Sequence, residues 1–264
     1  WITAVLGLTI ITGFFGRDYQ SAPKITLFIL PVIWLAPIFD IILSGGKGFV
    51  MSYIYDSPKN LVLDFFKFFY TASANGLTIG MHIDYVIIFC LIGFYIWLKR
   101  KSVLQVAMAV LCSYAFMFLI GSTPSLIYFL THGNVGGTPF SVLSYMNDLV
   151  TKSNILHNTL REGPLSVSAY RFLELGFDKL MSQIFLILSF ILATILFRKT
   201  EPKKFLAIIK NARPERMLYY LSPFVMAVGF AYIEKYGQFS WPDIFGLLSL
   251  LLSWLGVWMY SVHA

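Results

Sequence analysis

Residues 197–216 read FRKTEPKKFLAIIKNARPER. Seven of the 20 Lys and Arg residues of the chain fall within positions 198–216: Arg198, Lys199, Lys203, Lys204, Lys210, Arg213 and Arg216. An apolar run stands on each side, 181–198 before and 217–234 after. Short loops rich in Lys and Arg stay on the cytoplasmic side of a membrane. The stretch therefore reads as a cytoplasmic loop between two spans, and it sets the direction of every other run.

A helix needs roughly 20 mostly apolar residues to cross a bilayer. Counting outward from 198–216, candidate runs lie at about 1–15, 25–44, 77–98, 103–130, 181–198, 217–234 and 243–262. The fourth is too long for one straight span, and Pro124 in GSTPS (121–125) is expected to kink or end it. Alternation then puts 17–24 and 99–102 in the cytoplasm as well. These three inner loops hold 12 of the 20 basic residues, while the other eight spread over far longer outer segments.

Composition agrees. The chain is 58% hydrophobic and 12% charged, about half the charged share of a soluble domain. The net charge of +7 lies between apolar runs. No basic stripe sits on a polar domain, which argues against a nucleic-acid partner and for the lipid bilayer. The predicted fold class is all-α: a polytopic membrane helical bundle of about seven transmembrane helices, with amphipathic helices in the outer loops. In KNLVLDFFKFFYTA (59–72), Leu61, Val62, Phe65, Phe66 and Phe69 recur at helical spacing. Such a helix lies in the membrane interface or packs on the bundle. The long outer loop 131–180 reads as two short amphipathic helices, FSVLSYMNDLVTKSNILHNTL (140–160) and LSVSAYRFLELGFDKL (165–180), parted by REGP (161–164).

Few residues suggest chemistry. Asp40, in PVIWLAPIFDIILS (31–44), is an ionisable group inside an apolar run, which marks a candidate site. Its position near the outer end of the run also lets it reach headgroups and water. Asp84, just before YVIIFC (85–90), reads as interfacial. His82, His132, His157 and His263 form no pair at helical metal-ligand spacing and read as loop histidines. Asn147-Asp148 lacks a second carboxylate one turn on, where Thr151 and Lys152 stand. Cys90 and Cys112 lie in apolar runs and read as packing residues. No Walker A, GxSxG or HExxH motif occurs.

One resemblance covers the last 54 residues or so. Arg213-Pro214 opens ERMLYYLSPFVMAVGFAYI (215–233); the turn EKYGQFSWPD (234–243) follows; IFGLLSLLLSWLGVWMYSV (244–262) returns. This pattern resembles the first two helices of UbiA-type intramembrane prenyltransferases. The resemblance implies an antiparallel hairpin at 213–264, preceded by a basic linker at 199–212 and an amino-terminal membrane domain of unrecognised type at 1–198. It implies transfer of an isoprenoid from a prenyl diphosphate to a lipophilic acceptor. Mg²⁺ would be held by Asp motifs expected just after His263-Ala264, so the chain is expected to be the amino-terminal, by itself inactive part of a longer protein. Arg213 and Arg216 would attract the diphosphate, in addition to anchoring the loop by their charge. The expected location is the cytoplasmic membrane of a prokaryote. The alternative is a non-catalytic polytopic membrane protein, such as a transporter or a partner-binding subunit.

Overall fold

The computed structural model of the chain describes residues 1–46, 55, 57–67, 77–132, 142, 144–145, 148, 169–211, 214–236 and 239–263. It is all-α: 88% helical, with no strand among the described residues. Two compact units are present, Trp1–Val142 and Leu143–Ala264.

The first unit is built on α1 (Ile2–Gly16), α2 (Ala22–Ile33), α3 (Leu35–Leu43), α4 (Pro58–Phe66), α5 (Ile79–Arg100), α6 (Val103–Gly121) and α7 (Thr123–His132). The helices α1, α2–α3, α5 and α6 pack side by side. Small residues let α1 approach its neighbours closely, because its buried positions include Thr3, Ala4, Gly7, Thr9, Thr12, Gly13 and Gly16. In lipid, where apolar side chains gain nothing by leaving the solvent, such close packing and interhelical hydrogen bonds hold helices together. The Thr9 and Thr26 hydroxyls bond to each other across α1 and α2. Leu8, Ile29, Ile88, Ile92, Ile96 and Phe118 form the dry centre. The break expected at Pro124 is present: α6 ends at Gly121, and α7 starts at Thr123, with Pro124 in a first turn that has no use for its missing N–H.

Loop 17–21 and the segment 99–102, both assigned to the cytoplasmic side by their charge, meet at one end of this unit. Lys99 Nζ donates to Asp18 Oδ2 at 2.8 Å, while Asp18 Oδ1 accepts from the backbone N–H groups of Gln20 and Ser21 at 3.1 and 3.0 Å. The Lys99 hydrogen bond, helped by that of Ser21, holds the Asp18 carboxyl well below the usual carboxylate range. A carboxyl lowered on folding stabilises the fold fully above its unfolded pKa, and that contribution is lost as pH falls through the folded value. Asp18 is therefore expected to add no pH dependence between pH 7 and about 4, and to lose its small, solvent-screened contribution only below that. Acid unfolding of Asp18→Asn beside the parent protein measures this; a stability gap between the two that already narrows at pH 5–6 contradicts it.

The segment 59–72 forms α4 as far as Phe66, with the Ser57 hydroxyl accepting from Asn60 N–H at 3.2 Å as N-cap. Of the two readings for it, packing on the bundle holds for one face. Phe65 lies 5.0 and 5.2 Å, ring to ring, from Tyr114 and Phe118, and the Tyr114 hydroxyl donates to Phe65 O. Val62, Leu63 and Phe66 on the other side remain exposed.

The second unit contains α8 (Ala169–Thr200), α9 (Pro202–Asn211), α10 (Pro214–Ala231) with a π-helical turn at Tyr232–Tyr236, and α11 (Asp243–His263). The sequence suggests a separate amphipathic helix before the span at 181–198; instead α8 is continuous from Ala169 for 32 residues, about 48 Å. No Gly-Pro or turn pair interrupts LELGFDKL, so the helix simply continues. The first of the two helices expected in 131–180 lies almost wholly outside the described residues. The expected linker 199–212 is mostly α9, which lies within the second unit and buries none of its residues. Its start packs by Phe205 on Phe197 of α8, rings 5.9 Å apart. Pro223 stands inside α10 without ending it.

Four helical stretches are long and apolar enough to cross a membrane: 22–43 (α2 and α3 together), 79–100, 103–121 and 178–200. Shorter apolar helices are Ile2–Gly16 and Asp243–Trp258. Four such stretches lie among the described residues, which is compatible with a membrane protein.

Candidate functional site

The most distinctive feature of the first unit arises from one proline. Pro37 has no N–H to give to the carbonyl four residues back, and its ring crowds that carbonyl. The span 22–43 accordingly breaks at Trp34, whose N–H closes on Pro31 O at 3.2 Å. A new helix, α3, starts at Leu35 in the middle of an apolar run. Backbone groups freed at such a depth find no water and must be satisfied by protein. Asp84 of α5 supplies the acceptor: Ala36 N–H donates to Asp84 Oδ2 at 3.1 Å.

The arrangement is reciprocal. α5 starts beside α3, with the Thr78 hydroxyl accepting from Met81 N–H at 3.3 Å. Gly80 N–H, in that first turn, donates to Asp40 Oδ1 of α3 at 2.8 Å. Each of two helix N-termini is thus bound by a carboxylate of the other helix. The partial positive charge of a helix start favours an anion there, and charge-assisted bonds of this kind are the strong ones. Gly80 is what lets the helices come so close. A Cβ on it would lie 2.2 Å from Ala36 O and 2.9 Å from Asp40 Oδ1.

Both carboxylates are buried, Asp40 at 9% and Asp84 at 5% exposure. This corrects the expectation that Asp40 reaches headgroups and water: it and Asp84 each tie a neighbouring helix end. Among the described residues, Asp84 Oδ1 has no hydrogen-bond partner. Beside the pair lies a cleft of about 390 Å³, lined by Ile33, Ala36, Pro37, Ile41, Met81, Tyr85, Ile88 and Met117 together with Trp1, Thr78 and the two aspartates. Among the described residues, no Lys, Arg or His side chain lines it.

Of the residues singled out by sequence, Arg213 lies outside the described residues, and Arg216 is in the first turn of α10. His82 Nδ1 is 2.9 Å from Thr78 O, His132 ends α7 and His263 ends α11, and His157 and Asn147 lie outside the described residues. Asp148 is exposed. Cys90 and Cys112 are free thiols. In the second unit α10 and α11 meet at their aromatic residues: Trp254 Nε1 donates to Tyr220 O at 2.8 Å, and the Tyr220 and Trp258 rings are 5.6 Å apart. Tyr232 and Phe239, nearer the turn, are 5.7 Å apart, so the two helices run antiparallel. Among the described residues no three His, Cys, Asp or Glu side chains gather to hold a metal ion.

The pairing of Asp40 with Gly80 and of Asp84 with Ala36 is the geometry that sequence reading missed. The available signal was Pro37 inside an apolar run, three residues before an aspartate. No family model, curated protein or solved structure matches the chain.

Proposed function

We infer that the chain is part of a prenyl-transferring protein of a prokaryotic cytoplasmic membrane, moving an isoprenoid from a prenyl diphosphate to a lipophilic acceptor. In this reading seven runs cross the membrane, with 17–24, 99–102 and 198–216 inside. The observation that carries it is the antiparallel pairing of α10 with α11 through Tyr220, Trp254 and Trp258, which supports the hairpin of the family resemblance at 213–264. In this reading Arg213 and Arg216, just before and at the start of the hairpin sequence, attract the diphosphate; guanidinium matches phosphate oxygens in both charge and geometry.

Binding of a radiolabelled prenyl diphosphate to the purified chain tests this. Each guanidinium–phosphate bond contributes about 1.5–3 kcal/mol, so Arg213→Ala/Arg216→Ala is expected to weaken binding at least ~10-fold. The matching prenyl alcohol should bind parent and variant alike. Equal binding of the diphosphate to both proteins would sink the assignment of these arginines. Absence of saturable binding to the parent would sink the prenyl-transfer reading itself.

A further inference from the structure

We propose that α9 is an anionic-lipid-binding helix. It lies along the membrane surface beside the end of α8, with Leu206 and Ile209 in the acyl boundary and Lys203, Lys204 and Lys210 on phosphate headgroups. The proposal requires that 178–200 cross the membrane and is independent of prenyl transfer.

The stretch 178–200 is long and apolar enough to span, and it closes on Arg198 and Lys199 in the last turn of α8. Pro202 cannot continue that helix, because it has no N–H for the Arg198 carbonyl and its ring crowds that group. A new helix starts at once: Pro202 takes its first position, and Phe205 N–H donates to Glu201 O at 2.9 Å. In one straight helix, Phe197 and Phe205 would stand about 12 Å apart along the axis. Their rings are instead 5.9 Å apart, so the chain bends here. With α8 ending at Thr200 and α9 starting at Pro202, α9 begins at the depth where acyl chains give way to headgroups.

The faces of α9 define what it meets. At about 3.6 residues per turn, Phe205, Leu206, Ile208 and Ile209 share one side. Lys203 and Lys210 border it on one flank and Lys204 on the other. Phe205 and Ile208 are half-buried, Phe205 against Phe197 of α8, whereas Leu206 and Ile209 are 65% and 46% exposed. α9 thus holds on to α8 by one edge of its apolar face and leaves the rest open. An apolar face bordered by lysines suits a helix lying in the membrane plane. Lysine stems lie along apolar surface while their ammonium groups reach outward to the headgroups.

Charge selects the lipid. Residues 198–211 carry five basic side chains and one acidic, Glu201. Glu201 takes up Lys204 at 3.3 Å in an exposed pair, an arrangement that contributes little. Lys203 and Lys210 make no ion pair among the described residues. Basic side chains directly beside a span favour anionic lipids. A bilayer with anionic headgroups supplies acyl chains for Leu206 and Ile209 and phosphate for the lysines at one and the same depth.

The test uses the full chain in nanodiscs of phosphatidylcholine and phosphatidylglycerol. Cys90→Ser and Cys112→Ser remove the native thiols, and a bimane fluorophore is placed on Leu206→Cys, on Ala207→Cys or, within α8, on Ile191→Cys. A nitroxide quencher is carried on the acyl chain of either lipid, at equal mole fraction. Both lipids should quench at Leu206→Cys, with the phosphatidylglycerol form ~5-fold more effective, the preference that one lysine confers at an anionic surface. Ala207→Cys, on the opposite side of α9, should be quenched much less. Lys203→Gln/Lys204→Gln/Lys210→Gln, all at exposed positions, should make the two lipids equal at Leu206→Cys. Salt at about 1 M should do the same by screening, with the lysines in place and no dependence on how the variant folds. The proposal is overturned if neither lipid quenches Leu206→Cys, the result expected when water or another protein segment covers this face. It is equally overturned if the two lipids quench Leu206→Cys alike in the parent at low salt. Ile191→Cys should be quenched by both lipids; no quenching there sinks the span at 178–200 and the proposal with it.

Discussion

Gly80→Ala is expected to lower the stability of the first unit by ~3 kcal/mol or more. The added methyl would lie 2.2 Å from the Ala36 carbonyl oxygen, a backbone atom that no rotamer change can move. Relief requires α3 and α5 to part, and parting lengthens both reciprocal bonds, Gly80 N–H to Asp40 and Ala36 N–H to Asp84. Overpacking alone costs about 1–3 kcal/mol, and each weakened charge-assisted bond adds to that, up to about 1.5–3 kcal/mol if lost. Gly7→Ala provides the control. There the added atom would meet the tip of the Phe116 ring at 1.9 Å, a side chain that is only partly buried and can swing aside. Thermal unfolding in detergent of the two variants compares them directly. Gly80→Ala should melt much lower than Gly7→Ala, by roughly 2–4 °C per kcal/mol for a unit that spans Trp1–Val142. Equal melting temperatures would show that α3 and α5 are not locked as described.

Sidedness should be all or none. In a protein freed of its native thiols by Cys90→Ser and Cys112→Ser, Lys59→Cys is expected to react with a membrane-impermeant maleimide in intact cells. Lys203→Cys should react only after permeabilisation. Both side chains are exposed and so open to reagent. Lys59 sits on α4, in the connection between the end of α3 and the start of α5, whereas Lys99 at the far end of α5 pairs with Asp18. The two ends of α5 thus face opposite sides if its 22 residues cross the membrane, and the richer basic end faces the cytoplasm. Lys203 lies in the most basic segment of the chain. Labelling of both positions from the same side would overturn the topology.

Much of this architecture is legible in the residues alone. A chain with 12% charged residues and long apolar runs has few options in lipid, because each backbone N–H and C=O must be satisfied within its own segment, and helices do that. All-α structure and membrane-crossing helices therefore follow from composition and run length. The α6–α7 break follows from Pro124, since proline's effect on a helix is local. The meeting of loops 17–21 and 99–102 follows from charge counting, since lysine and arginine resist transfer. Continuity of α8 was not legible, because a change from amphipathic to apolar pattern looks like a boundary although the backbone needs no break there.

What the tertiary structure alone decided is the fate of Asp40 and Asp84. An aspartate near the end of an apolar run reads as one that reaches water, since that is the least costly place for its charge. Whether it does so depends on what stands opposite, and the partners here are 40 and 48 residues away. Pro37 announces a break in the helix, but not which acceptor takes the freed Ala36 N–H. Gly80 is one of 19 glycines, and nothing in the sequence marks it as the point where two helices touch. Those identities come from the packing of α3 on α5, because burying an amide and a carboxylate together is tolerable only where each satisfies the other.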